Sequence, residues 1–450
     1  MKIKLQTDKA VGRQTTQLRT LSWTDRVELL RRLPLFVLAK CGRRVDSTCT
    51  ERYPPTMSSG ENDLTHYRFF GSLESLRGIC AVGVVCLHFP WATAYRRVPA
   101  LQQSWLFVDL FFVLSGFVIA HVYLDKLNRF SDVADFAIKR LFRLYPLHIL
   151  ALALCGALIV GKSALGLGYD AQSTVGRVLA AVTLTHGIGF NESLPLNSPS
   201  WSISAEMAAY AVFALCCLMT RHRVAALIVV SLGALLVEVI FNDATLDGGM
   251  TFRAFRCFYS FGIGVMTWRF APRLDPRLQW PAAAAIGVLM WVSASETQWT
   301  LAVPMATALL VGTLTHDGSL ARLLLAPPLK AIGRWSYSIY LMHSFILTVV
   351  GFALNRVVTA RIGTQPYLPL AQDMGLGATV IALVILVSAL TYRFVEVPGR
   401  DAGRRLLDRR RAIVLREASE QGENKQRNAD QSRAPAENDH KAPVLQRFSD

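Results

Sequence analysis

Arg77 and His88 lie in one apolar segment of the sequence, LRGICAVGVVCLH. An ionisable side chain inside a membrane-spanning helix is costly and marks a candidate functional site. Their separation makes about three helical turns plus roughly 20°, so both side chains share one face, about 16 Å apart along the axis. Neutral histidine can accept a proton near physiological pH, which makes His88 a candidate general base. Alternatively, Arg77 reaches the lipid interface and His88 makes a packing contact.

A second apolar segment, FVDLFFVLSGFVIA, contains Asp109. A carboxylate there must face the protein interior, and its partner is expected to be Arg77 or another cation. Ser115 and Gly116 follow in the same segment, and small residues at these positions permit close helix approach. The sequence therefore predicts a buried charge on this helix, with Ser115 as support for the site or for packing.

Glu206 stands in a third segment, PSWSISAEMAAY, which begins near Trp201. Trp201 alone is typical of the membrane interface, whereas a glutamate in an apolar run indicates a functional role. Either Glu206 or Asp109 could orient His88, as a third group orients the base in other catalytic sites. The sequence leaves the choice between the two carboxylates open.

Arg140 and Arg143 lie one helical turn apart in KRLFRLYP. Two guanidinium groups in this arrangement can bind a phosphorylated ligand through paired hydrogen bonds. A basic pair at the cytoplasmic start of a span also follows from orientation alone. Two weaker candidates come later in the chain: His343 in YSIYLMH is either a supporting residue or a core histidine, and Glu396 in YRFVEVPGR could pair with a neighbouring arginine.

The elements that position these residues are predicted to be membrane helices. Of 450 residues, 52% are hydrophobic and only 18% are charged, whereas soluble domains carry about 25% charged residues. The apolar residues form long runs, so we predict an all-α fold: a polytopic membrane bundle of about ten transmembrane helices without a soluble catalytic domain. The predicted spans are 72–90, 105–124, 145–161, 201–220, 223–241, 253–270, 280–295, 300–315, 337–355 and 375–395.

The basic excess, a net charge of +16, is explained by loops on the cytoplasmic side. Both termini are expected there. Segment 174–190 is less apolar and could span the membrane, re-enter it or lie on its surface. Counting it as a span would move the later basic loops to the outer side, so we favour the other two readings. Basic residues are dispersed, so no nucleic-acid partner is predicted. The spacing of the eight cysteines predicts no metal site.

Three regions follow from these patterns. Residues 1–65 are expected to be a basic N-terminal extension on the cytoplasmic side, and Met57 offers an alternative start. Residues 66–400 form the membrane domain. Residues 401–450 are rich in charge and poor in aromatic residues, which predicts a disordered cytoplasmic tail.

Taken in order, these motifs resemble the acyltransferase-3 family of bacterial integral membrane O-acyltransferases. The resemblance covers about residues 68–400 and rests on LRGICAVGVVCLH, LFFVLSGFV, RLFRLYP, the Trp201–Glu206 segment, YSIYLMH and FVEVP. One departure is that the family often has two adjacent acids where this chain has Glu206 followed by Met207. A role that needs the second carboxylate is therefore not expected here.

The resemblance implies a multi-pass protein of the bacterial inner membrane that moves an acyl group, usually acetyl, from cytoplasmic acyl-CoA to an extracytoplasmic glycan or glycolipid. It implies that His88, Arg77 and Glu206 act in catalysis and that Arg140 and Arg143 bind the acyl-CoA. Acyl-CoA is then a donor substrate, with no permanently bound cofactor. Exopolysaccharide and lipooligosaccharide are the expected kinds of acceptor, and succinyl transfer is a related alternative. No oligomeric state follows from the sequence.

Two other classes of protein remain open at this point. A secondary transporter also has buried charges in its spans, although the sequence shows no internal repeat. A glycan export partner could keep the fold without the chemistry. The co-occurrence of Arg77, His88 and Glu206 favours the enzyme over both.

Overall fold

The computed structural model describes residues 59–89, 98–165, 174–189, 196–247, 252–362 and 370–433. These ranges are helical and contain no β-strand, which confirms the all-α prediction for the described chain. Most of the predicted N-terminal extension, residues 1–58, and the last residues, 434–450, lie outside the described residues.

The described α-helices follow in chain order. They are α1 (Ser59–Leu87), α2 (Pro99–Gln102), α3 (Phe107–Tyr123), α4 (Phe130–Ala164), α5 (Thr174–Val182), α6 (Trp201–Met219), α7 (Arg223–Phe241), α8 (Arg253–Phe270), α9 (Gln279–Val292), α10 (Val303–Thr313), α11 (Ser319–Leu324), α12 (Pro327–Arg334), α13 (Ser336–Ile362), α14 (Leu370–Thr391) and α15 (Val397–Arg433). Short 3₁₀ turns precede α3, α6 and α10, and a single π-helical turn, Tyr392–Glu396, joins α14 to α15.

Six helical segments of the described chain are long and apolar enough to cross a membrane, so the protein is a multi-pass helical membrane protein. They are Ser104–Tyr123, Phe130–Ala164, Ser198–Met219, Arg223–Phe241, Ser336–Leu354 and Ala371–Gln421. The predicted count of about ten is not confirmed. For example, α9 and α10 have 14 and 11 residues. At about 1.5 Å per residue they fall short of a hydrocarbon core about 30 Å thick.

The ambiguous segment 174–190 contains only the nine-residue helix α5. The last carbonyl groups of a helix lack partners within it, and side chains from the bundle supply them here. The Tyr145 hydroxyl donates to the Val182 carbonyl at 2.9 Å, and His148 Nε2 lies 2.9 Å from the Ala181 carbonyl oxygen. This short helix is therefore fixed against the bundle and does not span.

Helices α3 and α8 approach each other closely because glycines lie at their crossing. A Cβ atom on Gly116 would overlap the carbonyl oxygen of Phe261, and one on Gly264 would overlap that of Val113. Small residues allow two helix backbones to touch in this way. The close helix approach predicted at Ser115 and Gly116 is confirmed at Gly116, and it places α3 against α8.

The C-terminal region differs from the predicted disordered tail, because α15 continues as a helix to Arg433. Its first turns dock on α4: a Cβ on Gly403 would lie 2.6 Å from the Phe142 Cβ, and Leu407 is buried. Arg410 and Arg411 lie 3.4 and 3.6 Å from Asp135. Two of the basic residues in the predicted tail therefore contact α4.

Candidate active site

An internal cavity of about 810 Å³ lies between α1, α3, α4, α6, α12 and α13. Its charged lining residues are Glu74, Arg77, Arg140, Arg143, Glu206, Lys330 and Arg334. The cavity therefore unites several residues that the sequence singled out separately: Arg77 from α1, Ser115 from α3, the arginine pair from α4 and Glu206 from α6. Its lining carries five basic side chains against two acidic ones.

The arginine pair of α4 occupies one side of this cavity. Aromatic rings hold Arg140: its Nη2 donates to the Tyr123 hydroxyl at 3.2 Å, and its guanidinium lies 5.1 Å from the centre of that ring and 5.9 Å from that of Tyr210. Within the described residues, no ion pair closer than 4.0 Å joins Arg77, Arg140 or Arg143 to a carboxylate. Their charges are therefore available to an anionic ligand.

A hydroxyl–carboxylate cluster lies at the same cavity. The Ser115 hydroxyl donates to Glu206 Oε1 at 2.6 Å, and the Tyr210 hydroxyl donates to the same oxygen at 2.5 Å. The two hydroxyl oxygens are 3.0 Å apart. A carboxylate that accepts two such bonds is held in one orientation and keeps lone pairs for further donors. Tyr210 was not singled out by the sequence, although its position four residues after Glu206 places both on one helix face.

His88 is exposed immediately after the end of α1 and does not line the cavity. Its Nδ1 donates to the Val84 carbonyl at 2.9 Å, which leaves the lone pair on Nε2. The ring lies 5.0 Å from that of His343. The tautomer is the one a general base needs, but a backbone carbonyl orients it rather than Glu206 or Asp109.

His343 lies between His88 and the cavity. It is fully buried, its Nδ1 donates to the Tyr340 carbonyl at 2.6 Å, and its Nε2 has no hydrogen-bond partner among the described residues. The Tyr340 ring lines the cavity and lies 5.9 Å from the His343 ring. Tyr340, His343 and His88 therefore form a row that leads from the cavity wall to an exposed imidazole.

Arg77 and His88 have different surroundings in the fold. Helical spacing gives them a common face, but α1 ends at Leu87 and His88 stands just beyond it. Arg77 lines the cavity, while the His88 ring contacts that of His343. A shared helix face therefore does not bring the two side chains to one cavity.

The cation that balances Asp109 is Arg256 of α8, not Arg77. Arg256 Nε lies 2.9 Å from Oδ1 and Nη2 lies 2.5 Å from Oδ2, and the Ser260 hydroxyl donates to Oδ1 at 3.1 Å. The guanidinium also lies over the ring of Trp105 at 4.5 Å. Asp109 therefore joins α3 to α8. The rule that singled out Asp109 applies equally to Arg256, which stands in the apolar run of α8.

Two predicted residues have supporting positions. Trp201 begins α6, where Arg253 lies over its ring at 4.7 Å and the Phe112 ring lies 6.1 Å away. Glu396 is buried in the π-helical turn and accepts a hydrogen bond from the Ser338 hydroxyl. Among the described residues no arginine lies within 4.0 Å of Glu396, so the predicted ion pair is replaced by this hydrogen bond. The same part of the chain contains no cluster of residues able to bind a metal ion.

Fold and site together define a multi-pass helical membrane protein with a basic internal cavity. The sequence model of the acyltransferase domain, Acyl_transf_3, matches residues 70–393, and the chain belongs to this family. The protein is therefore a membrane-embedded acyltransferase. The match begins inside α1 and ends in the π-helical turn, so it contains every residue that lines the cavity.

Several known proteins are similar to parts of this chain. The chain is 38% identical over 155 residues to protein 2 in the picA locus of Rhizobium radiobacter, which covers 32% of this chain and 79% of that protein. It is 27% identical to the putative membrane-bound transacylase BcsY of Komagataeibacter xylinus, over 76% of this chain and 86% of that one. It is 24% identical to the peptidoglycan O-acetyltransferase OatA of Listeria monocytogenes, over 75% of this chain but only 56% of that protein. No solved structure matches the chain.

Proposed function

We propose that the protein transfers an acyl group, acetyl in the first instance, from cytoplasmic acyl-CoA to a hydroxyl group of an extracytoplasmic glycan such as exopolysaccharide or lipooligosaccharide. The observation that carries this proposal is the cavity, where three arginines without carboxylate partners in the described chain face a serine–glutamate–tyrosine cluster. The relatives named as a transacylase and as a peptidoglycan O-acetyltransferase support an acyl donor and a glycan acceptor.

The donor's phosphates are assigned to Arg77, Arg140 and Arg143. Guanidinium groups bind phosphate through paired hydrogen bonds, and these are stronger in surroundings less polar than water. With the basic loops on the cytoplasmic side, this part of the cavity faces the compartment that contains acyl-CoA. The same orientation places both termini in the cytoplasm of a bacterium, with the domain in its inner membrane.

The transfer is proposed to be direct. The acceptor hydroxyl gives its proton to His88 Nε2 and its oxygen attacks the thioester carbonyl; the carbon–sulfur bond then breaks and CoA leaves as a thiol after taking up a proton. His88 is suited to this role because Val84 holds the required tautomer. Since His88 lies beyond His343 and Tyr340, direct transfer requires the thioester carbonyl to pass the Tyr340 wall of the cavity and meet the acceptor oxygen beside His88.

The proposal is tested in proteoliposomes that contain the purified full-length chain, acetyl-CoA and surface glycan from a strain that lacks the gene. We expect release of CoA and an increase of one acetyl unit in the mass of the glycan. Movement of unmodified glycan without CoA release would instead support a carrier. Loss of acyl groups from the surface glycans of the deletion strain identifies the acceptor, and the mass lost distinguishes acetyl from succinyl.

A further inference from the structure

The cavity has a second group of cations, on α12 rather than on α1 or α4. Lys330 and Arg334 stand four residues apart on this helix, so they share one face, and both line the cavity. Arg334 is exposed and Lys330 is half-buried, which places them where the cavity meets the surface. In the sequence they stand in a basic stretch that predicts only a cytoplasmic loop.

A close glycine contact fixes α12 beside α1. A Cβ on Gly78 would lie 2.6 Å from the Gly333 nitrogen, and one on Gly333 would lie 2.5 Å from the Glu74 carbonyl oxygen. Residues of α1 on the same side, Gly71 and Arg77, face the same cavity. The two helices therefore meet backbone to backbone, and the cations of α12 are held at a set position relative to Arg77.

The distribution of charge indicates a ligand with two separate anionic groups. The α1–α4 cations and the α12 cations are carried by different elements, and one of the two acidic lining residues, Glu206, is engaged by hydroxyl groups. A ligand with a single phosphate would need only one of these groups. Coenzyme A carries a pyrophosphate next to the pantetheine arm and a further 3′-phosphate at its nucleotide end.

We propose that Lys330 and Arg334 bind the 3′-phosphate of the donor and thereby select coenzyme A thioesters over thioesters that lack this phosphate. The inference rests on the proposed function, because it assumes an acyl-CoA donor. The pantetheine arm then extends past Arg77, Arg140 and Arg143 towards Tyr340. The exposed Arg334 and the half-buried Lys330 contact the end of the donor that remains nearest to the surface.

Binding of CoA and of dephospho-CoA to the purified full-length chain in lipid nanodiscs, measured by titration calorimetry, tests the inference. A hydrogen-bonded charge pair lost from a phosphate weakens binding by roughly ten- to a hundredfold, so we expect the wild type to prefer CoA by about this factor. The Lys330→Ala/Arg334→Ala variant should lose this preference, with CoA binding falling to the level of dephospho-CoA. Binding of dephospho-CoA should change little.

Two further variants make the result specific. Arg322→Ala removes an exposed cation of α11 that does not line the cavity, and the preference for CoA should persist. Lys330→Arg/Arg334→Lys keeps both charges and should retain most of the preference. Equal weakening of both ligands in the α12 variant, no weakening of either, or the same loss in Arg322→Ala would overturn the inference alone. A wild type that binds neither ligand would overturn the acyl-CoA donor as well.

Discussion

The guanidinium of Arg256 binds both carboxylate oxygens of Asp109 across the contact between α8 and α3. Both side chains are buried, and Ser260 and the backbone carbonyls of Trp105 and Leu246 complete the hydrogen bonding. A buried ion pair is stable only when both charges are present and hydrogen-bonded, because either charge alone would lie unpaired in surroundings of low polarity. It stabilises the wall that carries Ser115.

Asp109→Ala is expected to destabilise the protein by about 3–5 kcal/mol, because it leaves the Arg256 charge buried without its counterion. Thermal unfolding of the purified protein in detergent measures this. Asp317→Ala is the matched control: its partner Arg322 is 3.9 Å away and both side chains are exposed, so the cost should be about 0–1 kcal/mol. Equal effects of the two substitutions would contradict the assignment.

Gly116→Ala is expected to lower stability by about 1–3 kcal/mol, since the added methyl group overlaps the Phe261 carbonyl and must separate two backbones. Gly233→Ala is the control, because a Cβ there meets no atom within 4 Å. In the interior of α7 that change should raise stability by about 0.5–1 kcal/mol. The shift in unfolding temperature of each variant checks both signs, and a stable Gly116→Ala protein would refute the close crossing.

His88→Ala should reduce acyl transfer by about 10²–10⁴-fold through loss of the general base. Binding of CoA should remain unchanged, because His88 lies outside the cavity. His222→Ala, which removes an exposed histidine before α7, serves as the control and should retain activity. Rates of CoA release with the glycan acceptor provide the measurement, and full activity in His88→Ala would eliminate the proposed role.

Stability should fall on acidification because of His186, which lies between α5 and α6. Burial lowers the pKa of His186 below its ordinary value of 6.5, an effect that its hydrogen bond to the Ala180 carbonyl only partly offsets. The unfolded chain therefore takes up the proton first. The stabilising contribution is complete above pH 6.5 and decreases as the pH falls from there towards the lowered pKa.

The unfolding temperature between pH 8 and pH 5 measures this contribution, with His186→Gln as the variant that removes it. A glutamine cannot titrate, so the decrease on acidification should be smaller in the variant. The same decrease in both proteins would assign the effect to other groups.

The sequence predicts four of the seven charged residues that line the cavity. A charge in an apolar run indicates Arg77 and Glu206, and the one-turn spacing of two guanidinium groups indicates the α4 pair. The sequence pattern does not identify which charges pair, however. Asp109 is balanced by Arg256, which is far away in the chain, and only the folded crossing of α3 and α8 brings them together.

Two further differences have physical causes that the sequence pattern does not contain. The short helix α12 has the composition of a cytoplasmic loop, so its cations were indistinguishable from those that only set orientation. The segments of α9 and α10 are apolar enough to be predicted as spans, but the helices themselves have only 14 and 11 residues. A count of spans from composition alone is therefore too simple.

The π-helical turn Tyr392–Glu396 determines the direction in which the C-terminal helix faces. Such a turn contains one more residue than an α-helical turn, so every later side chain is rotated by about 100° from its place on an uninterrupted helix. Arg410 and Arg411 meet Asp135 with this rotation in place. Deleting one residue of the turn would keep the composition and the helix intact yet point the two arginines away from α4. The turn thus sets the rotation of the basic helix relative to the membrane bundle.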